Sequence, residues 1–168
     1  ASTWRQRTDC TLQVQMEQMI YRLDRMNDIT LGPGKLICAT TGHTDLIADW
    51  VMSFSEVTHD RLDRVGALVR AQEMIDASRI YLWIDERPVS MAWRARSTRR
   101  GIVVSGVYTP PASRCQGYAT ACVASLSQLL LDEGYEFCAL YADLANPVSN
   151  HIYQKMGYHP EAYSSKVR

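Results

Sequence analysis

The chain has 168 residues and carries 18 Lys and Arg against 18 Asp and Glu, so its formal net charge is zero. A chain of this length forms one globular domain whose core needs neither a disulfide nor a metal. Hydrophobic residues at 46% and charged residues at 21% are ordinary for a soluble globular protein and exclude a disordered chain. The charge balance argues against a nucleic-acid partner, and the lack of a long apolar run argues against a membrane span.

Cysteine and histidine usage predicts a reduced, cytoplasmic protein without a bound metal. The number of cysteines is odd, no two of them have CxxC spacing, and no histidines have HxxxH or HxH spacing. These residues are Cys10, Cys38, Cys115, Cys122, Cys138, His43, His59, His151 and His159.

The first half of the chain predicts an N-terminal segment, residues 1–33, ahead of a main domain at residues 34–168. Apolar residues from Leu12 to Leu23 fit a strand by alternation and a helix by spacing, so both structures stay open. A short strand is predicted at 35–39, followed by two helices, the first with an apolar face and the second near 62–75. Because the chain starts with Ala1 and has apolar residues ahead of the domain, we expect the natural protein to have a longer N-terminal region.

The second half alternates strands and helices and predicts a mixed α/β fold. A hairpin of strands turns at 85–88, and the strand at 102–109 contains Gly106, which suggests a bulge. Asn146-Pro147 is a typical helix start, and Gly157 a typical helix end. The predicted strands cover residues 80–84, 89–95, 102–109, 137–141 and 158–167, and the predicted helices cover 117–132 and 147–156.

The segment from Pro110 to Thr120 is suited to bind phosphate. A turn from a strand into a helix directs several unpaired backbone N–H groups towards one point, and the helix dipole adds partial positive charge there. Gly117 lets a ligand approach the backbone closely, and Ala119 keeps the first helical turn narrow. The lysine of a Walker loop is missing, and the spacing is not that of a Rossmann GxGxxG loop.

Two stretches together resemble the GNAT acyltransferases. The pattern Arg114-x-x-Gly117-x-Ala119 is similar to the family's R/Q-x-x-G-x-G/A loop, which holds the pyrophosphate of coenzyme A. The stretch from Asn146 to Tyr158 is similar to N-x-x-A-x-x-[LI]-Y-x-x-x-G-[FY]. The combination of VYTPP, RxxGYA and NPxSNxIYxxxGY resembles an uncharacterised bacterial-type subset. The resemblance implies the GNAT fold, with a central, mixed, largely antiparallel sheet flanked by helices.

The resemblance also implies acetyl-coenzyme A as co-substrate and gives roles to the matching residues. Backbone groups of residues 107–109 would bind the pantetheine arm and help polarise the thioester carbonyl. Backbone N–H groups of residues 115–120 would hold the pyrophosphate, and Tyr153 would protonate the departing thiolate. The residues predicted to contact coenzyme A are Val107, Tyr108, Thr109, Arg114, Cys115, Gln116, Gly117, Tyr118, Ala119, Thr120, Asn146 and Ser149.

The chain departs from the family's pattern at several positions. Cys115 stands where glycine is usual, which is expected to be tolerated if its φ is ordinary, and Gln116 replaces a commonly basic residue. The strand at 102–109 lacks the carboxylate that some relatives carry as general base. The remaining candidates for that base are Glu56, His59, Asp143 and His43.

A run of arginines between residues 87 and 100 contains no acidic residue. It predicts a solvated hairpin face, with attraction of an acidic substrate or of the coenzyme's 3′-phosphate as the alternative. The run consists of Arg87, Arg94, Arg96, Arg99 and Arg100.

The sequence therefore predicts an N-acetyltransferase in which a small-molecule or peptide amine attacks the thioester directly in a ternary complex. No nucleic acid, membrane or metal is expected as a partner, and a homodimer is compatible with the resemblance. Two alternatives stay open. One is a non-catalytic acyl-coenzyme A sensor, which the missing carboxylate favours, and the other is the C-terminal half of a larger tandem GNAT protein.

Overall fold

The computed structural model describes residues 14–58 and 61–167 of the chain, so Cys10, Leu12 and His59 lie outside the described residues. The strands are β1 (Val14–Leu23), β2 (Lys35–Cys38), β3 (Ile80–Asp85), β4 (Arg87–Ser97), β5 (Gly101–Tyr108), β6 (Phe137–Asp143) and β7 (His159–Val167). The α-helices are α1 (Thr44–Val57), α2 (Arg64–Asp76), α3 (Tyr118–Asp132) and α4 (Pro147–Met156). None of the described helices combines the length and the apolar composition that crossing a membrane requires.

The described strands form one sheet in the order β2-β3-β4-β5-β6-β1-β7. Neighbouring strands are antiparallel except β5 and β6, which run parallel and are connected through α3. A parallel connection needs such a crossover, whereas the antiparallel β3 and β4 are joined by a tight turn. The predicted mixed α/β fold, with a largely antiparallel sheet flanked by helices, is confirmed.

The segment before residue 34 contributes a strand to this sheet. Of the two structures that its apolar pattern allowed, the strand is the correct one, and β1 lies between β6 and β7 with antiparallel pairing to both. Met19, Tyr21 and Leu23 alternate along β1 and are buried in the core. A domain boundary at residue 33 and a longer natural N terminus stay predictions.

Alternation along the strands supplies a separate apolar core to each face of the sheet. On β3, Tyr81 and Trp83 belong to one core, and Ile80 and Leu82 belong to the other. Buried residues of α3 and α4 complete the first core, and those of α1 and α2 complete the second. The sheet therefore separates two pairs of helices.

Side-chain caps and glycines fix the ends of the helices. Asp63 accepts a hydrogen bond from the Gly66 N–H at 2.7 Å at the start of α2. Asn146 caps α4 in the same way, Pro147 takes the first helical position, and α4 ends at Gly157 with a φ of 109°. The predicted start and end of α4 are thereby confirmed, and its first turn stands directly after the carboxyl end of β6.

Candidate active site

β5 and β6 separate at their carboxyl ends and open a cleft in the sheet. Their parallel register ends at Val103 and Ala139, although β5 continues to Tyr108 and β6 to Asp143. Beyond that point β5 stays paired with β4, and β6 stays paired with β1. The backbone groups on the facing edges of the cleft are not used by a β5–β6 ladder and can bind a ligand.

A bulge at Gly106 sets the course of β5 along this cleft. The β4–β5 register passes from Trp93↔Ser105 to Met91↔Tyr108, so two residues of β5 face one of β4. Gly106 has a φ of 62°, and a Cβ at this position would overlap the Trp93 ring. The bulge predicted at Gly106 is confirmed, and only glycine fits it.

Two side chains hold the carbonyl groups at the end of β5. The hydroxyl of Ser90, which is fully buried, donates to the Tyr108 carbonyl at 3.1 Å. The Nε of Arg114 donates to the Thr109 carbonyl at 3.0 Å. Each carbonyl oxygen keeps a second lone pair for a ligand. Arg114 therefore ties the predicted coenzyme loop to β5, and Val107 packs on the α3–α4 face beside it.

The loop between β5 and α3 passes twice through the left-handed region of backbone conformation. After a 3₁₀ turn at Pro111–Ser113, φ is 61° at Cys115 and 80° at Gly117. The condition that φ at Cys115 be ordinary is therefore not met. A residue with a β-carbon costs about 1–2 kcal/mol in this conformation. Gln116 is exposed beside it and donates to the Ala112 carbonyl at 3.4 Å.

The start of α3 presents free backbone donors. Gly117 has no capping side chain, and the first helical hydrogen bond runs from the Ala121 N–H to the Gly117 carbonyl. The N–H groups of Tyr118, Ala119 and Thr120 precede that bond and point out of the helix end, where the helix dipole favours an anion. A Cβ at Gly117 would meet no atom within 4 Å, so open space lies beside these donors. Donors, dipole and space together fit a pyrophosphate group.

Asp85 is a site residue that no sequence motif marks. It ends β3 in the hairpin turn, and its carboxylate accepts a hydrogen bond from the Tyr118 hydroxyl at 2.6 Å. This hydrogen bond, together with partial burial and the negative charge of Asp85, raises the pKa of Tyr118. The contact fixes the first residue of α3 against the hairpin, and only the folding of β3 beside α3 brings the two residues together.

Tyr153 lies on α4 in the core on the α3–α4 face. Its ring packs against Tyr21 at 6.3 Å and Tyr158 at 6.0 Å between centroids. Burial raises the pKa of Tyr153 to about 12, so its hydroxyl is protonated at neutral pH. The hydroxyl makes no hydrogen bond to a described residue, yet no fully buried polar side-chain atom among those residues lacks a partner.

Strand β1 adds a second tyrosine to the site, which the sequence did not indicate. The Tyr21 hydroxyl donates to the Asn150 side-chain oxygen at 2.9 Å and accepts from the Gln154 Nε2 at 3.3 Å. Asn150 in turn donates to the carbonyls of Asp143 and Asn146 at 2.8 and 2.7 Å. This network connects β1, the end of β6 and the first two turns of α4, and it sets the position of Tyr153.

Asn146 and Ser149, both predicted to contact the coenzyme, meet each other at the start of α4. The Asn146 side-chain oxygen accepts from the Ser149 N–H at 3.1 Å, which is a helix cap. Both residues follow the cleft edge of β6, so the structure brings them to the site. Their contact with pantetheine stays a prediction.

The candidates for a general base lie in different surroundings. Asp143 ends β6 at the cleft, and its carboxylate accepts from the Ala145 N–H at 2.9 Å. The Nδ1 of His43 accepts from the Thr40 N–H at 3.1 Å, and Glu56 is exposed on α1. Among the described candidates, Asp143 is the one at the cleft. No group of three or more His, Cys, Asp and Glu in the described part of the chain is placed to hold a metal ion.

The arginines between residues 87 and 100 lie at different places in the fold and have different neighbours. Arg87 begins β4 at the hairpin turn, and Arg100 pairs with Glu136 at 2.5 Å. Arg94 and Arg96 line a cavity between β4 and α2. The arginine run is therefore not one uniform face.

A family model described as "Acetyltransferase (GNAT) family" matches residues 44–158, more than half of the chain and both stretches that carry the resemblance. The chain belongs to the GNAT acetyltransferase family. The chemistry of this family is acyl transfer from coenzyme A. No curated protein shows significant sequence similarity to the chain.

Solved structures of this family share the fold. A GNAT-family acetyltransferase from Colwellia psychrerythraea superimposes with a TM-score of 0.71 at 11% identity over 94% of this chain and 56% of its own. A protein from Sphaerobacter thermophilus gives 0.67 at 12% identity over 98% of this chain and 54% of its own. AAC(6')-Iy, in complex with the bisubstrate analogue CoA-S-monomethyl-acetylneamine, gives 0.60 at 13% identity over 76% and 92%. The chain thus spans little more than half the length of the first two proteins.

Proposed function

We propose that this chain is an N-acetyltransferase that moves an acetyl group from coenzyme A to an amine by direct attack in a ternary complex. The observation that carries the proposal is the cleft between β5 and β6, which opens beside the uncapped start of α3. An extended ligand with a pyrophosphate at α3 can lay its arm along the free edge of β5. Membership of the GNAT family supports the same ligand.

The pyrophosphate contacts would come from the backbone of residues 115–120. Charge-assisted hydrogen bonds from N–H groups at a helix start bind phosphate without a basic side chain, which suits a loop that has Gln116 in place of a basic residue. Arg114 contributes by holding this loop to Thr109. Residues 107–109 would bind the pantetheine arm, because the end of β5 pairs with β4 on one edge and faces the open cleft with the other.

Tyr153 would act on the sulfur when the amine has attacked the thioester carbonyl and the carbon–sulfur bond breaks. A phenol with a pKa of about 12 is fully protonated and available as a donor. A free thiol has a pKa of about 8.5, so complete transfer of the phenol proton to the thiolate is uphill. Tyr153 therefore stabilises the developing thiolate by a hydrogen bond, and solvent completes the protonation.

A non-catalytic acyl-coenzyme A sensor is the second candidate. The observation that favours it is the lack of an Asp or Glu along β5, Gly101–Tyr108, on the edge of the cleft. Asp143 at the end of β6 already accepts a backbone hydrogen bond, and the amine would otherwise lose its proton to water.

Binding and turnover measured on the same preparation separate the two candidates. Calorimetry with acetyl-coenzyme A gives the affinity, and thiol release with a panel of primary amines and amine-bearing peptides gives the activity. An enzyme releases coenzyme A in step with the acetylated amine detected by mass spectrometry, and Tyr153→Phe slows that release. Tight binding without any amine-dependent release supports the sensor, and no binding at all refutes both candidates.

A further inference from the structure

A cavity lies between α2 and the C-terminal end of β4, which is the end away from the hairpin turn that joins β3 to β4. Its volume is about 300 Å³, which is at the lower end of pockets that hold small molecules. The residues that line it are Arg70, Glu73, Met74, Arg79, Trp93, Arg94, Ala95, Arg96 and Ser97.

The lining is strongly basic. Four of the lining residues are arginines and one, Glu73, is acidic, in a protein whose overall charge is zero. Arg94 is paired with Glu133 at 2.9 Å. Arg70, Arg79 and Arg96 form no ion pair or hydrogen bond through their side chains with any described residue. Three arginines without an ion pair to a described residue, beside the single carboxylate of Glu73, leave an excess of positive charge at the cavity that an anion would balance.

This cavity is separate from the acyl-transfer cleft. Along the β4–β5 pair, its lining begins at Trp93, opposite Ser105, and extends to Ser97, opposite Ile102. The cleft opens along the other edge of β5, and the predicted thioester position is at its end, near Tyr108. Three residues of strand separate Ser105 from Tyr108, which corresponds to about 10 Å. A ligand in the cavity therefore does not occupy the position of the thioester.

We propose that the cavity between α2 and β4 binds a small organic polyanion, a molecule with at least two phosphate or carboxylate groups. Planar guanidinium groups bind both kinds of group with two parallel hydrogen bonds. Arg70 on α2 and Arg96 on β4 would hold the anionic groups from the two walls. Glu73 would accept a hydrogen bond from an N–H or O–H group of the ligand. The proposal does not depend on the function proposed for the cleft.

Trp93 gives this site a physical connection to the cleft. Trp93 is one of the residues that line the cavity, and its ring packs edge-on against Phe54 at 5.3 Å between centroids and occupies the space beside Gly106. A ligand that contacts the ring in the cavity therefore contacts the support of the β5 bulge. Tryptophan fluorescence is for the same reason a direct reporter of ligand entry.

The test uses inorganic pyrophosphate and citrate as probes, titrated by calorimetry and by tryptophan fluorescence at low ionic strength. Wild-type protein is expected to bind one equivalent of at least one probe. The double variant Arg70→Gln/Arg96→Gln should raise the Kd roughly 100-fold, about tenfold for each guanidinium group that no longer binds the anion. The comparison of the two probes tells whether phosphate or carboxylate groups are preferred.

Arg99→Gln is the matched control, because it removes one charge from the same exposed arginine run without removing a residue of the cavity lining. It should leave the Kd within about twofold, and the melting temperature of each variant is measured to show that it is folded. Three results overturn the proposal. They are no binding of either probe by the wild type at millimolar concentration, unchanged binding by the double variant, and an equal loss of affinity in Arg99→Gln. Such an equal loss would mean that diffuse charge, as on a surface for acidic proteins, attracts the anion.

Discussion

The Gly117→Val substitution tests the position of the coenzyme pyrophosphate. Gly117 has a φ of 80°, and the space in front of its α-carbon is open to 4 Å. A valine side chain would therefore project from the protein into the region that the N–H groups of α3 face. It would exclude a pyrophosphate from that region, and it would also strain the backbone.

The two effects have different magnitudes. Loss of two hydrogen bonds to a charged group costs about 3–6 kcal/mol, at about 1.5–3 kcal/mol for each bond. That loss corresponds to an increase of roughly 10²- to 10⁴-fold in the Kd for coenzyme A. Backbone strain from a β-carbon in the left-handed region lowers the free energy of unfolding by about 1–2 kcal/mol, or a few degrees in Tm for a domain of this size.

The Gly134→Val variant is the control that separates an effect on coenzyme A binding from an effect of backbone strain. Gly134 follows the other end of α3, has a φ of 102°, and has no atom within 4 Å of a built Cβ. Both variants should therefore lose similar stability in thermal unfolding. Only Gly117→Val should lose affinity for coenzyme A in calorimetry.

Two results would refute this reasoning. A Kd within about threefold of wild type for Gly117→Val would mean that the pyrophosphate does not lie over the start of α3. An equally weakened Gly134→Val would mean that strain in α3, and not occupation of the ligand's space, accounts for the loss of affinity.

Four further predictions concern two tyrosines, the buried thiols and the bulge. Tyr153→Phe should lower kcat roughly 10- to 100-fold with the KM for acetyl-coenzyme A nearly unchanged, because the hydroxyl acts on the leaving group and not in binding. Tyr158→Phe, which removes a buried hydrogen bond of 2.7 Å, should instead lower the free energy of unfolding by about 1–3 kcal/mol. Burial raises the pKa of Cys122 and of Cys138 from 9.0 to about 12, so stability is complete below pH 9 and is lost as the pH rises towards 12, by about 1.4 kcal/mol per pH unit for each thiol. Gly106→Ala should lower the free energy of unfolding by several kcal/mol and reduce turnover, since the added methyl group overlaps a tryptophan ring and displaces the end of β5.

Each of these predictions has its own check. Wild-type turnover by Tyr153→Phe on its true amine would show that the hydroxyl is only structural. Denaturant unfolding between pH 8 and pH 11 should give a shallower decline for Cys122→Ala than for wild type, and an identical decline would contradict the assignment to this thiol. A Gly106→Ala protein with wild-type stability would show that β5 can pass this point without the left-handed glycine.

Short stretches of sequence were enough to predict most of the helices and strands and part of the candidate site. The loop from Pro110 to Thr120 could be predicted because a strand end, glycine at a helix start and unpaired N–H groups are all decided within a few residues. The same holds for α4, where Asn146, Pro147 and Gly157 fix the start and the end by their own backbone preferences. The bulge at Gly106 also follows from a single residue.

Other features depended on which segments pack together. The pattern from Leu12 to Leu23 suited a strand and a helix equally, and the edges of β6 and β7 decided it by offering hydrogen bonds to both sides of β1. Neither the Tyr21 contact with α4 nor the Asp85 contact with Tyr118 could be predicted, because their partners lie 129 and 33 residues apart in the chain.

The sequence by itself therefore determined the strand–loop–helix from Pro110 to Thr120, the limits of α4 and the class of the fold, since each rests on short-range backbone and side-chain preferences. The tertiary structure alone decided the opening between β5 and β6, the burial that raises the pKa of Tyr153, and the gathering of Arg70, Arg79 and Arg96 around one cavity. These three features arise from how a seven-stranded sheet pairs and twists, and that pairing depends on contacts between residues far apart in the sequence.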